Sequence, residues 1–414
     1  MLGNPRLAVG LKIIVKRKKR ERMVDDVAEW KDFDPRQIDL EGFREEIRAL
    51  RREIDASLGE EDIDHLRKME RWGRACTLLG LTTAGICPNP VSAISLALGR
   101  TARWMLMHHI GHRGYDRVPG IPAKYTSRVF ARGRRRFLDW PDWMVPEAWI
   151  YEHNVLHHSF TGEVRDPDLV ERNMATLNER GLPRAVGYAA LGLYAFTWKF
   201  LYYAPNTLGT WVHRGEVGSG SERPDELEAS YRDLFLRCYL PYAGLTFGLL
   251  PAAYALFGPW AYLSALTNSV AAEAIANLHT FCVIGPNHAG DDLFRFEDRP
   301  ASRAEGYVRQ VIGSVNYRVG TDVIDFAHMW LNYQIEHHVF PDIPMRQYRL
   351  VQPKLKALCA KYGVPYLEGG VLSRVKKMVD VFVGKTKMRK APRGPWSVSP
   401  PAPDGRDDEA MAAE

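Results

Sequence analysis

Between residues 238 and 272 the chain carries no Asp, Glu, Lys, Arg or His. A bilayer's hydrocarbon core, about 30 Å thick, is crossed by about 20 helical residues at ~1.5 Å each. The uncharged run and its flank therefore read as two spans, roughly 239–257 and 260–282. The break falls at Gly258–Pro259, because proline lacks the N–H that would continue a helix. A buried helix of a water-soluble core is a poor account of so long a stretch. The mean hydropathy of −0.29 is that of a soluble protein only because the apolar residues are blocked rather than dispersed.

A second apolar block, ACTLLGLTTAGICPNPVSAISLAL (75–98), is divided by Pro88-Asn89-Pro90 into shorter arms, about 72–87 and 91–107. Arg100 and Arg103 stand near the end of the second arm, where long cationic side chains snorkel to the interface. Each arm is near or below spanning length, so two spans and a re-entrant hairpin both remain open. A third stretch, 186–198, is shorter and runs into Lys199, Phe200, Tyr202 and Tyr203. That composition is the aromatic belt of a membrane surface and predicts an interfacial helix.

Outside these blocks the chain changes character. Residues 1–74 are charged, and FREEIRALRREI (43–54) alternates as an amphipathic helix does. Residues 75–390 form the expected membrane domain with its cytoplasmic cap, and 391–414, rich in Pro and charge, are expected to be disordered. No cleavable signal peptide is expected, since the apolar run 7–15 is short, is interrupted by Lys12 and precedes its basic cluster. Lys and Arg (56 against 50 acidic residues) peak at KRKKRER (16–22) and RGRRR (132–136), which the positive-inside rule puts in the cytoplasm. Nucleic-acid binding is the rival reading of such runs and is set aside because they adjoin membrane segments; plain solvated charge is the other. The five cysteines show no CxxC, so neither a zinc knuckle nor a disulfide framework is expected.

Eight of the 13 histidines fall in three clusters: HHIGH (108–112), HNVLHH (153–158) and QIEHH (334–338). Each apolar hairpin makes an even number of crossings, so all three clusters share one face of the membrane, the cytoplasmic one. Residues four apart project from the same side of a helix, which pairs His108 with His112 and His153 with His157. His158, about 100° further round, still reaches an object beside the helix, as does the pair His337 and His338, with Gln334 one turn earlier. Neutral imidazole is the commonest protein ligand for iron, zinc and copper. A tetrahedral zinc takes four ligands, so these candidates overfill one site and two metals fit better. Iron is favoured, because an imidazole-rich shell with open positions suits oxygen activation. His65, His213 and His328 stand alone and read as ordinary packed or surface residues.

These clusters resemble the histidine boxes of the integral-membrane fatty-acid desaturase and hydroxylase family. There, three boxes bind a non-haem di-iron centre at the cytoplasmic ends of four transmembrane helices. HHIGH, HNVLHH and QIEHH come in that order, with the long apolar hairpin between the second and third, and the resemblance covers roughly 75–345. QIEHHVFPDIP (334–344) and DPDL (166–169) are nearest to front-end-type acyl-lipid desaturases.

The resemblance implies an all-α membrane protein with about four transmembrane helices in two hairpins, interfacial helices, and a cytoplasmic helical cap holding the boxes. It implies oxygen-dependent desaturation of a long, lipid-linked acyl chain, with two Fe ions and O2 as co-substrate. Implied ligands are His108, His112, His153, His157, His158, His337 and His338, with His279 in ANLHTF as the extra ligand before the third box. His109 stands where the first box often has Asp; it and Gln334 are candidate ligands or supports. His288 in PNHAGDD is read as structuring its loop. No HPGG motif of a fused cytochrome b5 domain occurs, so a separate electron donor, ferredoxin or cytochrome b5 type, is expected and nucleic acid is not.

Ligand imidazoles usually donate their second N–H to a carboxylate or carbonyl. Asp166 and Asp168 are the acids expected to do so, whereas Asp116, Glu152 and Glu336 are read as solvated. Glu273 ends the uncharged run inside an expected span, where an acid is costly and usually serves a site. It precedes Asn277 by one turn, so one of the two is expected to support the centre directly or through water. Two alternatives stay open: a membrane di-iron hydroxylase or ketolase of a lipid, and, from another class, a bis-histidine haem-b electron carrier. A metal-ion transporter would hold its ligands at mid-membrane depth and fits less well.

Overall fold

The computed structural model describes residues 33–174, 183–217 and 228–396. KRKKRER and residues 397–414 lie outside them. The described chain is mostly helical. Its main helices are α1 (Leu40–Ser57), α2 (Glu60–Ala84), α3 (Pro90–Gly111), the segment α4 (146–160), α5 (Arg184–Trp198), α6 (Tyr231–Phe257) and α7 (Pro259–Ile284). They continue with α8 (Arg303–Ile312), α9 (Gln334–Val339), α10 (Met345–Lys361) and α11 (Val371–Phe382). The strands are a two-residue parallel pair, Phe294–Arg295 with Arg389–Lys390.

Helices α2 and α3 form one hairpin and α6 and α7 a second, packed on each other through α3 and α7. The first is held by small residues. A Cβ on Gly80 would meet Leu96 Cγ at 2.6 Å, one on Gly99 would meet Thr77 Oγ1 at 2.3 Å, and one on Gly73 would meet Ala102 Cβ at 2.6 Å. Removing those side chains lets the two backbones approach closely. Asn89 caps α3 by accepting from Ser92 N, with Pro90 at the first helical position. The carbonyls freed at the hairpin tip are taken up by α7: Asn268 Nδ2 donates to Ala84 O and Cys87 O, and Ser264 Oγ to Ala84 O. Between α6 and α7 the chain breaks at Gly258, whose φ of 104° favours glycine, and restarts at Pro259.

Among the described residues one helix, α6, is long and apolar enough by composition to cross a membrane. About four such helices are expected from the sequence. The other three fall short because each carries polar or charged groups. α2 has a charged first half, α3 holds Arg100 and Arg103, and α7 holds Ser264, Asn268, Ser269, Glu273 and Asn277.

The amphipathic N-terminal stretch forms two helices, broken at Leu58–Gly59, and residue 74 lies inside the continuous α2. Helix α1 buries Phe43, Ile47, Leu50 and Ile54 against α8 and α10, with Phe43 edge-on to Tyr362 at 5.6 Å. The tail, expected to be disordered from residue 391, is packed as far as Trp396, which is buried beside Phe296 and under the Arg309 guanidinium. The indole supplies enough apolar surface to fix a segment whose composition reads as unstructured.

Candidate metal centre

The first box ends α3, and Arg113, at φ 64°, stops the helix immediately after His112. The second lies in a π-helical turn, Tyr151–His157, inside α4. A π turn widens the helix locally and is frequent at functional sites; here it brings His153, His157 and His158 to one centre. The third box follows two consecutive left-handed residues, Met329 (φ 55°) and Trp330 (φ 60°). Such strain persists only where the surroundings over-determine it. Asp325 does so: its backbone O accepts from Trp330 N at 2.7 Å, and its carboxylate accepts from Asn332, Tyr333 and Arg349.

The boxes converge. His108, His112, His153 and His337 form one group whose ring nitrogens lie within 4.8 Å of one another, and His157, His288 and His338 form a second. His158 links them, with its ring centroid 4.4 Å from His112, 4.7 Å from His337 and 4.3 Å from His338. His108 Nε2 faces His337 Nε2 at 2.9 Å.

Four of these rings are held from outside. His157 Nδ1 meets Asp166 Oδ1 at 2.9 Å, with Asp168 Oδ2 at 3.8 Å. His338 Nδ1 meets Gln310 Oε1 at 2.9 Å, His337 Nδ1 meets the Tyr348 hydroxyl at 3.1 Å, and His288 Nδ1 meets Gly313 O at 3.2 Å. Carboxylate, amide and carbonyl oxygens only accept, and Tyr348 donates its own proton to Pro341 O. Each Nδ1 therefore carries the proton, and the Nε2 lone pairs of His157, His337 and His338 are left to face inward, while that of His288 meets Gln334.

Several buried ring nitrogens have no hydrogen-bond partner among the described residues: His108 Nδ1, His112 Nε2, both nitrogens of His153 and His158, and His338 Nε2. Buried polar atoms are almost always satisfied. Orphaned lone pairs aimed at one another are what a site for metal ions requires, so the residues fit that group. Burial first, and then the neighbouring imidazoles, hold His153, His158, His337 and His338 far below the ordinary histidine pKa. They are neutral and able to ligate. His157 is the exception: burial opposes its charge, but the Asp166 carboxylate outweighs burial and raises its pKa. Trp149 stacks on His153 at 4.7 Å and Trp104 lies 5.0 Å from His108, giving the cluster an apolar wall.

Not every candidate reaches the cluster. His279 is half-buried on α7, with Nε2 2.6 Å from Ala327 O, and joins neither group. His288, read from sequence as a loop residue, stands there instead, 4.9 Å from His157 and 4.4 Å from His338 by ring centroids. The turn Gly285–Asn287 swings it back under the cluster. His109 sits at the rim, Nε2 3.1 Å from Met329 O. Gln334 touches the cluster through His288: its Nε2 donates to His288 Nε2 at 2.8 Å, and its Oε1 accepts from Asn287.

Glu273 and Asn277 lie elsewhere, in a buried network away from the rings. Glu273 accepts from Arg100 at 2.9 Å, Trp143 Nε1 at 2.8 Å, Asn277 Nδ2 at 2.8 Å and Tyr242 OH. Glu152 and Glu336 are fully buried rather than solvated. Asn206 and Thr210 hold Glu152, and Asn316 and Tyr366 hold Glu336. Gln310, Tyr348 and Gly313 went unread in the sequence, because nothing local marks a residue whose only task is to meet a histidine far along the chain.

A helical protein whose buried imidazoles could hold metal ions is the class that fold and site define. The family model for fatty acid desaturases matches residues 87–370, and the chain belongs to that family. It is 25% identical over 357 residues to the NADPH-dependent stearoyl-CoA 9-desaturase of Mycobacterium tuberculosis, covering 82% of this chain and 78% of that one. It is 26% identical over 343 residues to fatty acid desaturase 3 of Bos taurus, covering 78% and 68%. It is 27% identical over 237 residues to an acyl-lipid (8-3)-desaturase of Physcomitrium patens, covering 53% and 46%.

Proposed function

We propose that the chain is a multi-pass membrane enzyme that takes two hydrogens from adjacent carbons of a long, lipid-linked acyl chain. Molecular oxygen is the co-substrate, and two non-haem iron ions sit in the histidine cluster. The observation that carries the reading is the pair of ring groups bridged by His158, with more inward-facing nitrogens than one ion can use. His108, His112, His153 and His337 would hold one ion and His157, His288 and His338 the other, with His158 between them. When bound, iron supplies the oxygen-activating chemistry that no acid or base side chain has.

The remaining tasks belong to the protein. Asp166, Gln310, Tyr348 and Gly313 fix the proton on Nδ1 of their histidines, so that ring orientation is set before any metal arrives. Trp104 and Trp149 keep water from one side. Specificity comes from where the fold places a single C–C bond beside the cluster.

In this reading α2, α3, α6 and α7 enter or cross the bilayer as two hairpins, α5 lies at the interface, and the boxes face the cytoplasm. The exposed Leu78, Leu79, Ile94, Leu249, Leu256 and Leu263 support it, since all six stand on the helices that this reading puts in lipid. Residues 1–74, 75–390 and 391–414 would be the charged N-terminal segment, the membrane domain with its cap, and the tail. Electrons come from a separate ferredoxin or cytochrome b5 type donor.

The test is expression in a host lacking polyunsaturated lipids, followed by mass analysis of total lipids and metal analysis of the purified protein. Lipid products lighter by two hydrogens and two irons per chain are expected. A gain of one oxygen would make the protein a hydroxylase, products confined to acyl-CoA would overturn the lipid carrier, and a Soret band would replace the reading with a haem carrier.

A further inference from the structure

A cleft of about 260 Å3 opens between the two hairpins. Its walls are Leu81, Leu96, Leu245, Leu250, Pro251 and Tyr254. Polar groups along it are already satisfied: Tyr254 OH donates to Leu81 O, Ser269 Oγ to Thr246 O, and Arg100 binds both Ser269 and Glu273. What remains is an apolar slot, smaller than the roughly 300–1,000 Å3 of sites enclosing drug-sized ligands and suited to a single hydrocarbon chain.

The mouth is different. It is formed by Arg103 with Phe137 and Leu138, which are 45% and 72% exposed. Arg103 precedes His108 by five residues on α3, about 7.5 Å of helix rise. Its one hydrogen bond among the described residues is a long one, 3.4 Å, to Leu138 O, and no described carboxylate lies within ion-pair distance. Its charged neighbours are Arg74, Arg100 and Asp139, and Asp139 is held by Arg135 through both oxygens. Arg136, beside the same rim, gives its guanidinium to the backbone carbonyls of Arg237 and Asp142, so its charge is not offset by a direct acid partner. An apolar slot that ends in uncompensated guanidinium charge is complementary to a hydrocarbon chain with an anionic head.

The geometry points to a binding site for an anionic phospholipid, with one acyl chain between the two hairpins and the phosphate on Arg103. The inference rests on the reading that α2, α3, α6 and α7 lie in a bilayer. It does not depend on the chemistry of the histidine cluster. A zwitterionic headgroup fits less well, because its ammonium would sit among Arg74, Arg103 and Arg136.

The test is native mass spectrometry of the detergent-purified full chain, stripped of metal, titrated with phosphatidylglycerol, phosphatidylcholine or inorganic phosphate. Phosphatidylglycerol is expected to bind about tenfold or more tightly than phosphatidylcholine, because both offer a phosphate to Arg103 and only phosphatidylcholine brings a cation beside the arginines. Arg103→Gln should abolish that preference, Arg103→Lys should keep most of it, and Leu245→Trp, which fills the slot, should weaken both lipids. Should Arg103→Gln not fold, the Lys and Trp variants carry the comparison. No preference in the native chain, a preference that survives Arg103→Gln or, failing that, lipid binding that Leu245→Trp leaves unweakened, or phosphate binding as well as the lipid overturns the site. Alkaline carbonate extraction keeps the two readings apart. Release into the aqueous phase sinks the bilayer placement, whereas retention without lipid preference sinks only the cleft.

Discussion

At the scale of single residues, the two histidines on either side of the end of α7 separate what spacing reveals from what it does not. His279 lies on a half-buried helix face and bonds Ala327 O, while His288 follows the turn and meets His157 and His338. His288→Ala is expected to lower metal affinity at least as far as loss of a supporting partner does, about 10–100-fold. His279→Ala should leave metal content unchanged, and metal analysis of the two purified variants decides between them. The three histidine clusters that the fold brings together were legible in the sequence, because adjacent imidazoles at helical spacing have few other uses. His288 was not, since its direction is set by the turn Gly285–Asn287 and not by a helical period.

Asp166 gives a second residue-scale expectation. It accepts from His157 Nδ1, Gly162 N and Asp168 N, so Asp166→Asn should weaken metal binding about 10–100-fold with little change in fold, read by metal titration and circular dichroism. A third concerns pH. Burial holds His153, His158, His337 and His338 neutral in the folded, metal-free chain, while the same groups unfolded take up protons near pH 6.5. The unfolded state then binds more protons, so metal-free stability falls as pH drops through 6.5 toward the depressed folded values, by about 1.4 kcal/mol per pH unit for each such group. His157 works the other way, because its raised pKa favours the folded state at low pH, and so do Glu152, Asp168 and Glu336, whose carboxyls burial pushes up, but His112 and His288, pushed down by burial, join the four and outnumber them. A melting temperature that stays flat from pH 7 to pH 5 would contradict this balance.

At the scale of elements, the hairpin of α2 and α3 is set by absent side chains. Gly73, Gly80 and Gly99 each face a neighbour that a Cβ would strike. Gly99→Val would press on Thr77 Oγ1 and Cα, and overpacking of this kind costs about 1–3 kcal/mol. Because α3 ends in the first box, the damage should reach the cluster. We expect a lower melting temperature together with reduced metal content, while Val at the open Gly192 on α5 changes neither. The sequence showed the Pro88-Asn89-Pro90 divide and the Gly258–Pro259 break, since both residue types punctuate a helix by their own geometry. It did not show the π turn that presents the second box or the left-handed pair before the third. Both are imposed by tertiary contacts, the latter by Asp325 gathering Asn332, Tyr333 and Arg349.

For the whole molecule, the number of membrane-crossing helices was the least legible property, for the same reason that the fold works. Glu273, Asn268 and Arg100 lower the apparent hydropathy of α3 and α7, yet each is satisfied inside the protein. The cluster joins parts distant in sequence: α3, α4, the turn after α7, and α9 supply its rings, from His108 to His338. The cap itself is tied to α1 by Arg51 on Asp342 and to the first hairpin by the buried Asp62 carboxylate, which accepts from Gln347. Without metal, buried lone pairs face one another across this junction, an arrangement that the protein must hold at some cost. A metal held by this cluster would bind only where the four parts are together, so its binding energy would also be folding energy. At a thousandfold excess over its dissociation constant a bound ion contributes about 4 kcal/mol. Chelation is therefore expected to lower the melting temperature of the purified full chain by several degrees, and readded iron to restore it. If chelation removes the metal, verified by elemental analysis, and the melting curve does not move, the convergence of the rings is the work of the protein scaffold alone and the ions do not organise the fold.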